Sequence, residues 1–334
     1  MEDSHSMAPY TSVIIPTYNR SHLLIQTVRS FVMQKFNKDR FEIIIANNNS
    51  TDNTSDIIDG LVKESPISIR HIMEKRQGVH YARNTAAKLA KGNILYYTDD
   101  DMIADQNLLT EIIKPFMVDE KVATATGRVL PKWEVPPPQW ILDYCDNGLL
   151  SLNNPREEFI ISPYDCGVFS CHQAIRREVL FAAGGFNPEN TSGEWIGDGE
   201  TGLNIKIREL GYKFAYNGNS VIYHVIPATR MTQNYLNKRL ANQGNCDSYT
   251  EYKRNRYSNN QLSIKILSHV KKYLFQAIKG ITKFMIKKPT WRLNWAKSFY
   301  YLNRIKYDYR LMNDDKLRQL VLRYDWINDE VQKG

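Results

Sequence analysis

The stretch Ile94-Leu95-Tyr96-Tyr97-Thr98-Asp99-Asp100-Asp101 joins a short apolar run to three consecutive carboxylates. A short apolar run that ends at a turn predicts a buried strand, and open α/β sheets bind ligands at the carboxyl ends of their strands. Three adjacent acids repel one another unless positive charge lies among them. A hard divalent cation carrying a diphosphate would supply it, since such ions take oxygen ligands and share them with substrate phosphates. The acids alone would also fit a solvated acidic loop.

Strand and helix patterns alternate on the N-terminal side of this run. The predicted strands are 12–15, 41–46, 67–73 and 94–98, and the predicted helices are 21–34, 54–63 and 79–90, with Ser21 as a helix N-cap. The strand at 41–46 is nearly all apolar, as a strand covered on both faces should be. This alternation predicts an α/β fold with a mostly parallel sheet flanked by helices.

The pattern changes at residue 131. The stretch PKWEVPPPQW (residues 131–140) is too rich in proline for a helix or a central strand, so it predicts a surface loop beside a substrate cleft. Secondary structure resumes with a strand ending at Ile175, a helix from Glu200 to Leu210 and two short strands, the second at 221–223.

The composition is that of a globular protein, with 334 residues, 42% of them hydrophobic and 24% charged. Cys145, Cys166, Cys171 and Cys246 are too few and too scattered for a disulfide scaffold or a zinc site. Neither a signal peptide nor a bilayer-spanning apolar run is evident. These features predict a cytoplasmic protein.

The net charge of +8 is concentrated in the C-terminal third. An apolar stripe at helical spacing lies among lysines there; it consists of Ile264, Leu267, Val270, Leu274, Ile278, Ile281 and Met285. A basic amphipathic helix of this kind can lie on an anionic surface, here the inner face of a membrane, or pack its stripe on the rest of the protein. Nucleic acid is not expected as a partner, because the basic residues concentrate in an amphipathic stretch.

Several motifs in order resemble glycosyltransferase family 2. They are SVIIPTYNR (12–20), IIIANNNSTDNT (43–54), GVHYARNTAAKLAKG (78–92), YYTDDDM (96–102), GGF (184–186), GEWIGDGETGL (193–203) and VIYH (221–224). The resemblance covers about residues 11–224 and implies the GT-A fold. It also implies inverting transfer of a sugar from a nucleotide diphosphate sugar to a saccharide or lipid-linked saccharide hydroxyl. Mn²⁺ or Mg²⁺ is the implied cofactor, and polysaccharide or glycoconjugate synthesis the implied role.

The resemblance also assigns donor-site residues. The nucleotide-binding candidates are Pro16, Thr17, Tyr18, Asn47, Arg83, Asp99 and Asp100, with Asn84 beside Arg83. Tyr18 could stack on the base. Asn47 stands where the family usually has an aspartate that reads the base, so a UDP-sugar is the expected donor but the change leaves the base open. The alternative for Arg83 is a simple pair with Asp99 or Asp100.

The same resemblance implies metal-binding and catalytic residues. Asp101 is the expected metal ligand and His224 a second one, although a lone histidine at a strand end is often structural. An inverting displacement needs a base near the acceptor hydroxyl. Glu200 takes that position, Asp198 is the reserve, and Trp195 offers an apolar face for a sugar ring.

These assignments divide the chain into three parts. Residues 10–130 form a nucleotide-sugar-binding half, 131–245 an acceptor-binding and catalytic half, and 260–330 a basic helical extension. Two alternatives remain at this stage, a sugar nucleotidyltransferase and a noncatalytic nucleotide-sugar-binding protein. The first normally brings a glycine-rich basic loop near the N-terminus, which VIIPTYNR is not.

Overall fold

The computed structural model describes residues 9–144, 147–156, 158–188, 190–191, 194–195 and 197–328. The strands are β1 (Thr11–Thr17), β2 (Phe41–Asn47), β3 (Ile69–Met73), β4 (Ile94–Thr98), β5 (Met102–Ala104), β6 (Val122–Trp133), β7 (Phe159–Ser162), β8 (His172–Arg176), β9 (Asn190–Thr191), β10 (Glu194–Trp195) and β11 (Lys213–Ile226). The α-helices are α1 (Ser21–Val32), α2 (Thr54–Glu64), α3 (Val79–Leu89), α4 (Leu108–Val118), α5 (Gln139–Tyr144), α6 (Arg177–Ala182), α7 (Gly199–Glu209), α8 (Gln233–Asn255), α9 (Asn259–Met285), α10 (Trp291–Asn313) and α11 (Asp315–Leu322).

The main sheet has nine strands within the described ranges, in the order β3-β2-β1-β4-β8-β6-β11-β5, with β7 also paired to β11. The first four of these strands run parallel. Beyond β4 the sheet is mixed, because β8 runs antiparallel to both β4 and β6 while β6 and β11 are parallel. The predicted α/β class is confirmed; the four strands β1 to β4 are parallel throughout, and the rest of the sheet is mixed.

Apolar side chains cover both faces of this sheet, because successive residues of a strand point to opposite sides. Val13 and Ile15 of β1 lie in a core layer with α1 and α4. Ile14 lies in the opposite layer with α3, α6 and α7. The helices therefore cover both faces of the sheet and fix the ends of β1, β2 and β4, after which the polar motifs come.

The proline-rich stretch departs from its prediction as a loop. β6 continues through Pro131 to Trp133, and α5 begins at Gln139. β8 pairs with β6 only at Thr124 and Ala125, so the far end of β6 has β11 as its ladder partner. A strand paired on one side tolerates a proline, which lacks the backbone donor.

Two smaller expectations are also wrong. The two short strands predicted before His224 are one strand, β11, whose register with β6 shifts between Asn217 and Val221. Ser21 is the first residue of α1 and does not cap it; Arg20 holds the N-cap position, and the Ser21 hydroxyl donates to Asn53 Oδ1 at 2.9 Å.

Four helices, α8 to α11, make up most of the C-terminal third. Part of this region has its own small core, which includes Tyr249, Leu262 and Tyr307. The chain then returns to the sheet, where Ile327 is fully buried in the layer beneath α3. No helix within the described ranges is long and apolar enough to cross a membrane. The three-part division of the chain stays a prediction.

Candidate functional site

A cleft of about 700 Å³ opens where β1 and β4 end side by side. Its lining consists of Pro16, Thr17, Tyr18, Arg20, Asn48, Gln77, Gly78, Val79, Arg83, Asp99, Asp100, Ser151, Phe169, Ser170, Cys171, Glu200 and Arg239. Most of the side chains predicted for the donor site therefore share one cavity with the predicted base. Five of the predicted residues whose side chains are described do not line it: Asn47, Asn84, Asp101, Asp198 and His224.

Arg83 on α3 is a buried cation in the wall of this cleft, with only 2% of its side chain exposed. Its Nη2 donates to Asp99 Oδ1 at 2.5 Å and its Nη1 donates to Ser170 Oγ at 2.7 Å. The guanidinium also lies 5.6 Å from the Phe186 ring centroid. These contacts fix one positive charge beside the end of β4, and they include the pair with Asp99 that the sequence allowed.

Asp100 is a buried carboxylate held from the β1 side of the cleft. It accepts hydrogen bonds from Thr17 Oγ1 at 2.8 Å and from Arg20 Nη1 at 3.2 Å. Burial raises the pKa of Asp100 to about 7, although the nearby Arg20 charge opposes that shift. Arg20 ends the PTYNR motif, and its contact with the acids after β4 is not evident from the sequence.

Asp101 is not among the residues that line the cleft, and its carboxylate lies near His224 on β11. Arg230 Nη2 donates to Asp101 Oδ2 at 2.6 Å, and Arg20 Nη1 donates to the same oxygen at 3.2 Å. Burial raises the pKa of Asp101, but the neighbouring His224 and the Arg230 charge outweigh burial and leave the pKa well below its usual range. The positive charge that the three acids require is thus supplied by arginines.

The fit of a divalent cation rests on Asp101 and His224. His224 Nε2 lies 3.8 Å from Asp101 Oδ2, while His224 Nδ1 contacts the Leu150 carbonyl at 2.8 Å. A histidine that donates through Nδ1 presents Nε2 as a metal ligand. The Arg230 guanidinium contacts both of these candidate ligand atoms, His224 Nε2 and Asp101 Oδ2. Asp101 Oδ2 and His224 Nε2 supply two ligands for a divalent ion, once Arg230 has moved away from them. Within the described residues no cluster of three candidate metal-binding side chains is present.

Asn47 is fully buried below the cleft. Its Oδ1 accepts from the Ser50 amide at 2.9 Å, and its Nδ2 donates to Ser55 Oγ at 2.9 Å. Its neighbour Asn48 lines the cleft and accepts from the Gly78 amide at 2.7 Å. The two asparagines order the loops after β2 and before α3, and the reading of a base by Asn47 stays a prediction.

The two candidate bases lie in different environments. Glu200, in the first turn of α7, lines the cleft with 23% of its side chain exposed. Asp198 is buried and accepts from Asn187 Nδ2 and Thr250 Oγ1, both at 2.7 Å. Burial raises the pKa of Asp198. The geometry favours Glu200 over Asp198 for contact with a ligand, and the side chain of Trp195 lies outside the described residues.

The GGF motif (184–186) packs against His80, the buried residue that lies beside Glu200. A Cβ on Gly185, whose φ is +71°, would lie 2.7 Å from Ile327 Cβ, so only glycine fits there. Asn84 Nδ2 donates to the Phe186 carbonyl at 2.9 Å, and the Phe186 ring stacks on His80 with centroids 5.0 Å apart. His80 Nε2 in turn lies 3.8 Å from Glu200 Oε2.

The model of the family described as Glycosyl transferase family 2 matches residues 12–182, just over half of the chain. The chain belongs to glycosyltransferase family 2. The match contains the motifs after β1, β2 and β4 and the GVHYARN helix, which confirms the resemblance predicted from those residues. The Glu200 and His224 motifs lie beyond it.

Relatives of this family 2 chain match it over about a third of its length. The uncharacterized glycosyltransferase YfnE of Bacillus subtilis is 35% identical over 33% of this chain and 28% of its own. Validoxylamine A glucosyltransferase of Streptomyces hygroscopicus subsp. jinggangensis is 30% identical over 34% of this chain and 27% of its own. The matched segment thus spans little more than a quarter of these curated relatives.

Two solved structures share the fold of this family 2 chain. The mannosyltransferase PcManGT of Pyrobaculum calidifontis, in complex with GDP-Man and Mn²⁺, superposes with a TM-score of 0.60 at 18% identity over 90% of this chain and 88% of its own. GalNAc-T7 with UDP, GalNAc and Mn²⁺ has a TM-score of 0.51 at 19% identity over 70% of this chain and 48% of its own. The fold is GT-A, as the motifs predicted.

Proposed function

We propose that this family 2 member is an inverting glycosyltransferase. It moves a sugar from a nucleotide diphosphate sugar, with UDP the expected nucleotide, to a hydroxyl of a saccharide or lipid-linked saccharide in polysaccharide or glycoconjugate synthesis. The observation that carries the proposal is that Arg83, Asp99 and Glu200 line one cleft. That cleft offers positive charge for a leaving diphosphate and a carboxylate for the acceptor proton.

Arginines provide the fixed charge at the leaving-group side. Negative charge develops on a departing diphosphate, and preorganised cations stabilise it. Arg20 and Arg83 both line the cleft, and the Arg83 guanidinium is held by its buried contacts. A divalent ion, Mn²⁺ or Mg²⁺, neutralises further charge when bound. Asp101 and His224 are the residues that would hold it.

Glu200 acts as the general base in this proposal. It accepts the proton of the acceptor hydroxyl as that oxygen attacks the anomeric carbon of the donor sugar. The carboxylate lies in the cleft on the first turn of α7, and the buried His80 beside it limits its freedom. Trp195, five residues before Glu200 in the sequence, is kept as the proposed acceptor contact.

The base of the donor nucleotide is the least constrained part of the proposal. PcManGT was solved with GDP-Man and GalNAc-T7 with UDP, so the fold accommodates either base. Tyr18 lines the cleft with 45% of its surface exposed, which suits stacking on any base. Since Asn47 is fully buried, base choice has to be measured.

Titration calorimetry with UDP, GDP and dTDP, each with and without Mn²⁺, tests the donor site. We expect UDP to bind the wild-type chain in a Mn²⁺-dependent manner. Asp101→Ala removes a proposed ligand and should weaken that binding by at least about tenfold. Asp143→Ala, at an exposed carboxylate on α5, is the matched control and should bind as wild type does.

The outcomes of this titration separate the parts of the proposal. Tight binding of GDP or dTDP in place of UDP would keep the chemistry and overturn the base assignment. Equal binding by the wild type and Asp101→Ala would remove Asp101 from the metal site. Binding of a nucleotide sugar without transfer or hydrolysis would favour the noncatalytic alternative.

Arg230 gives a second prediction, since its guanidinium contacts both Asp101 and His224. A metal ion must displace the guanidinium and so break charge-assisted hydrogen bonds, each of which contributes about 1.5–3 kcal/mol of free energy. Arg230→Ala should therefore tighten the binding of Mn²⁺ alone by about tenfold or more. Direct Mn²⁺ titration followed by electron paramagnetic resonance measures this without any turnover.

Arg239→Ala is the control for Arg230→Ala, because it removes the same charge from a position on α8 that lines the cleft. Its Mn²⁺ affinity should match that of the wild type. Unchanged or weaker Mn²⁺ binding by Arg230→Ala would show that Arg230 does not compete with the ion.

A further inference from the structure

Helix α9 (Asn259–Met285) carries large apolar side chains on its solvent-exposed side. Exposed fractions are 67% for Ile264, 63% for Leu267, 51% for Leu274, 59% for Phe275, 61% for Ile278, 50% for Ile281 and 75% for Met285. We call these seven residues the α9 stripe; Phe275 belongs to it in place of Val270, which the sequence placed there and which is half-buried. A contiguous exposed apolar patch of this kind marks an interaction surface on a globular protein. These exposures rule out the alternative that the stripe packs on the catalytic domain.

The α9 stripe faces directly away from the protein. Leu262, His269 and Gly280 are the buried positions of α9, and a Cβ on Gly280 would lie 3.1 Å from the Trp295 amide of α10. At about 100° per residue, these three positions and the stripe centre on opposite sides of the helix. One side of α9 therefore holds it on α10, and the other is free to meet a flat partner.

Charge around the stripe indicates the chemistry of that partner. Residues 259–288 contain no Asp or Glu and seven lysines, namely Lys265, Lys271, Lys272, Lys279, Lys283, Lys287 and Lys288. An apolar stripe bordered by lysines on an amphipathic helix is the pattern of helices that lie in the interface of an anionic bilayer. Lys265 pairs with Glu251 and Lys283 donates to Asn294. The exposed lysines, which are Lys271, Lys272, Lys287 and Lys288, attract acidic headgroups, and the stripe enters the acyl boundary.

We propose that α9 docks this protein on an anionic lipid bilayer, with the α9 stripe inserted and the helix axis parallel to the surface. This inference goes beyond the proposed transfer reaction and does not depend on it. A second copy of the chain is the less favoured occupant, because facing two α9 helices would bring lysine-rich, acid-free segments together. The helix does not span the bilayer, since no described helix is long and apolar enough.

Vesicle flotation of the full chain tests the proposal. The vesicles are phosphatidylglycerol mixed with phosphatidylcholine, and phosphatidylcholine alone. We expect flotation with the anionic vesicles only, and its decrease at high salt. The triple variant Leu274→Gln/Ile278→Gln/Ile281→Gln should lower the partition coefficient at least about tenfold, because three inserted side chains are lost. Lys271→Gln/Lys287→Gln/Lys288→Gln should weaken binding to anionic vesicles by about the same factor.

The control changes equally exposed apolar residues elsewhere, Met33→Gln/Met117→Gln/Val118→Gln, and should float as wild type does. All substituted positions are exposed, so the variants are expected to fold as the wild type does. Circular dichroism checks this. Absence of wild-type flotation, or equal flotation by the stripe variant, overturns the proposal. Sedimentation that shows a wild-type dimer dissociated by the stripe variant, without flotation, would make a second copy the occupant.

Discussion

Replacing Glu200 with glutamine is expected to lower turnover by about 10²–10⁴-fold, the usual contribution of a general base. Glutamine keeps the size and the hydrogen-bonding oxygen of the side chain but cannot accept the acceptor proton. Affinity for the donor nucleotide should stay close to that of the wild type, because the donor-site arginines are untouched. Steady-state transfer rates and nucleotide calorimetry on the same preparation measure both quantities.

The same substitution at the other end of α7, Glu209→Gln, is the matched control for Glu200→Gln. Glu209 is exposed, so turnover and stability should be unchanged. Asp198→Asn tests the reserve base. Asp198 is bound by Asn187 and Thr250 away from the cleft lining, so we expect it to change stability more than chemistry. Near-wild-type transfer by Glu200→Gln, with a large loss in fully folded Asp198→Asn, would give Asp198 the role of base.

The N-terminal part of the fold was predictable because its signals are local. The observed β1, β2 and β4 and the helices α1 to α3 lie within two residues of the predicted bounds. Such a strand or helix is predicted by the spacing of its apolar residues and by the glycine, proline or polar residues that end it. β6 was not predictable in this way, because whether Pro131 continues a strand depends on the distant pairing of β8.

The candidate site shows the same limit. The acids after β4 and the residues after β1 were found from sequence because parallel strands end at one edge. Arg83 was found as well, but Arg20 and Arg230 were not. Arg230 is 129 residues from Asp101 in sequence, so no local pattern relates the two. Asn47 likewise reads as a ligand-facing residue in the motif, whereas its hydrogen bonds to the next turn bury it.

The C-terminal stripe was visible in sequence, but its environment was not. Helical spacing of Ile264, Leu267, Leu274, Ile278 and Ile281 follows from the residues alone. Whether such a stripe is buried depends on which side of α9 meets α10, and that depends on distant residues such as Trp295. Amphipathicity therefore predicts a face, and tertiary packing decides what the face can bind.

Arg83→Met is expected to destabilise the protein and to impair transfer together. Its guanidinium is buried and contacts Asp99, Ser170 and His80. Removing one partner of a buried ion pair costs about 3–5 kcal/mol, and the low end applies because Asp99 is 34% exposed. Loss of a fixed cation beside the leaving group should lower turnover by about 10²-fold or more. Urea unfolding and transfer rates, measured well below the unfolding midpoint, give the two effects.

Lys114→Met is the control for the stability effect, since Lys114 pairs with Glu111 one turn away on α4 at 2.6 Å and has 50% of its side chain exposed. Its cost should be about 1 kcal/mol or less. Arg83→Lys keeps the charge but loses the fork that reaches Asp99 and Ser170 at once. If only positive charge matters, Arg83→Lys will transfer at nearly the wild-type rate. We expect it to stay impaired, because the cation acts where its two buried hydrogen bonds hold it.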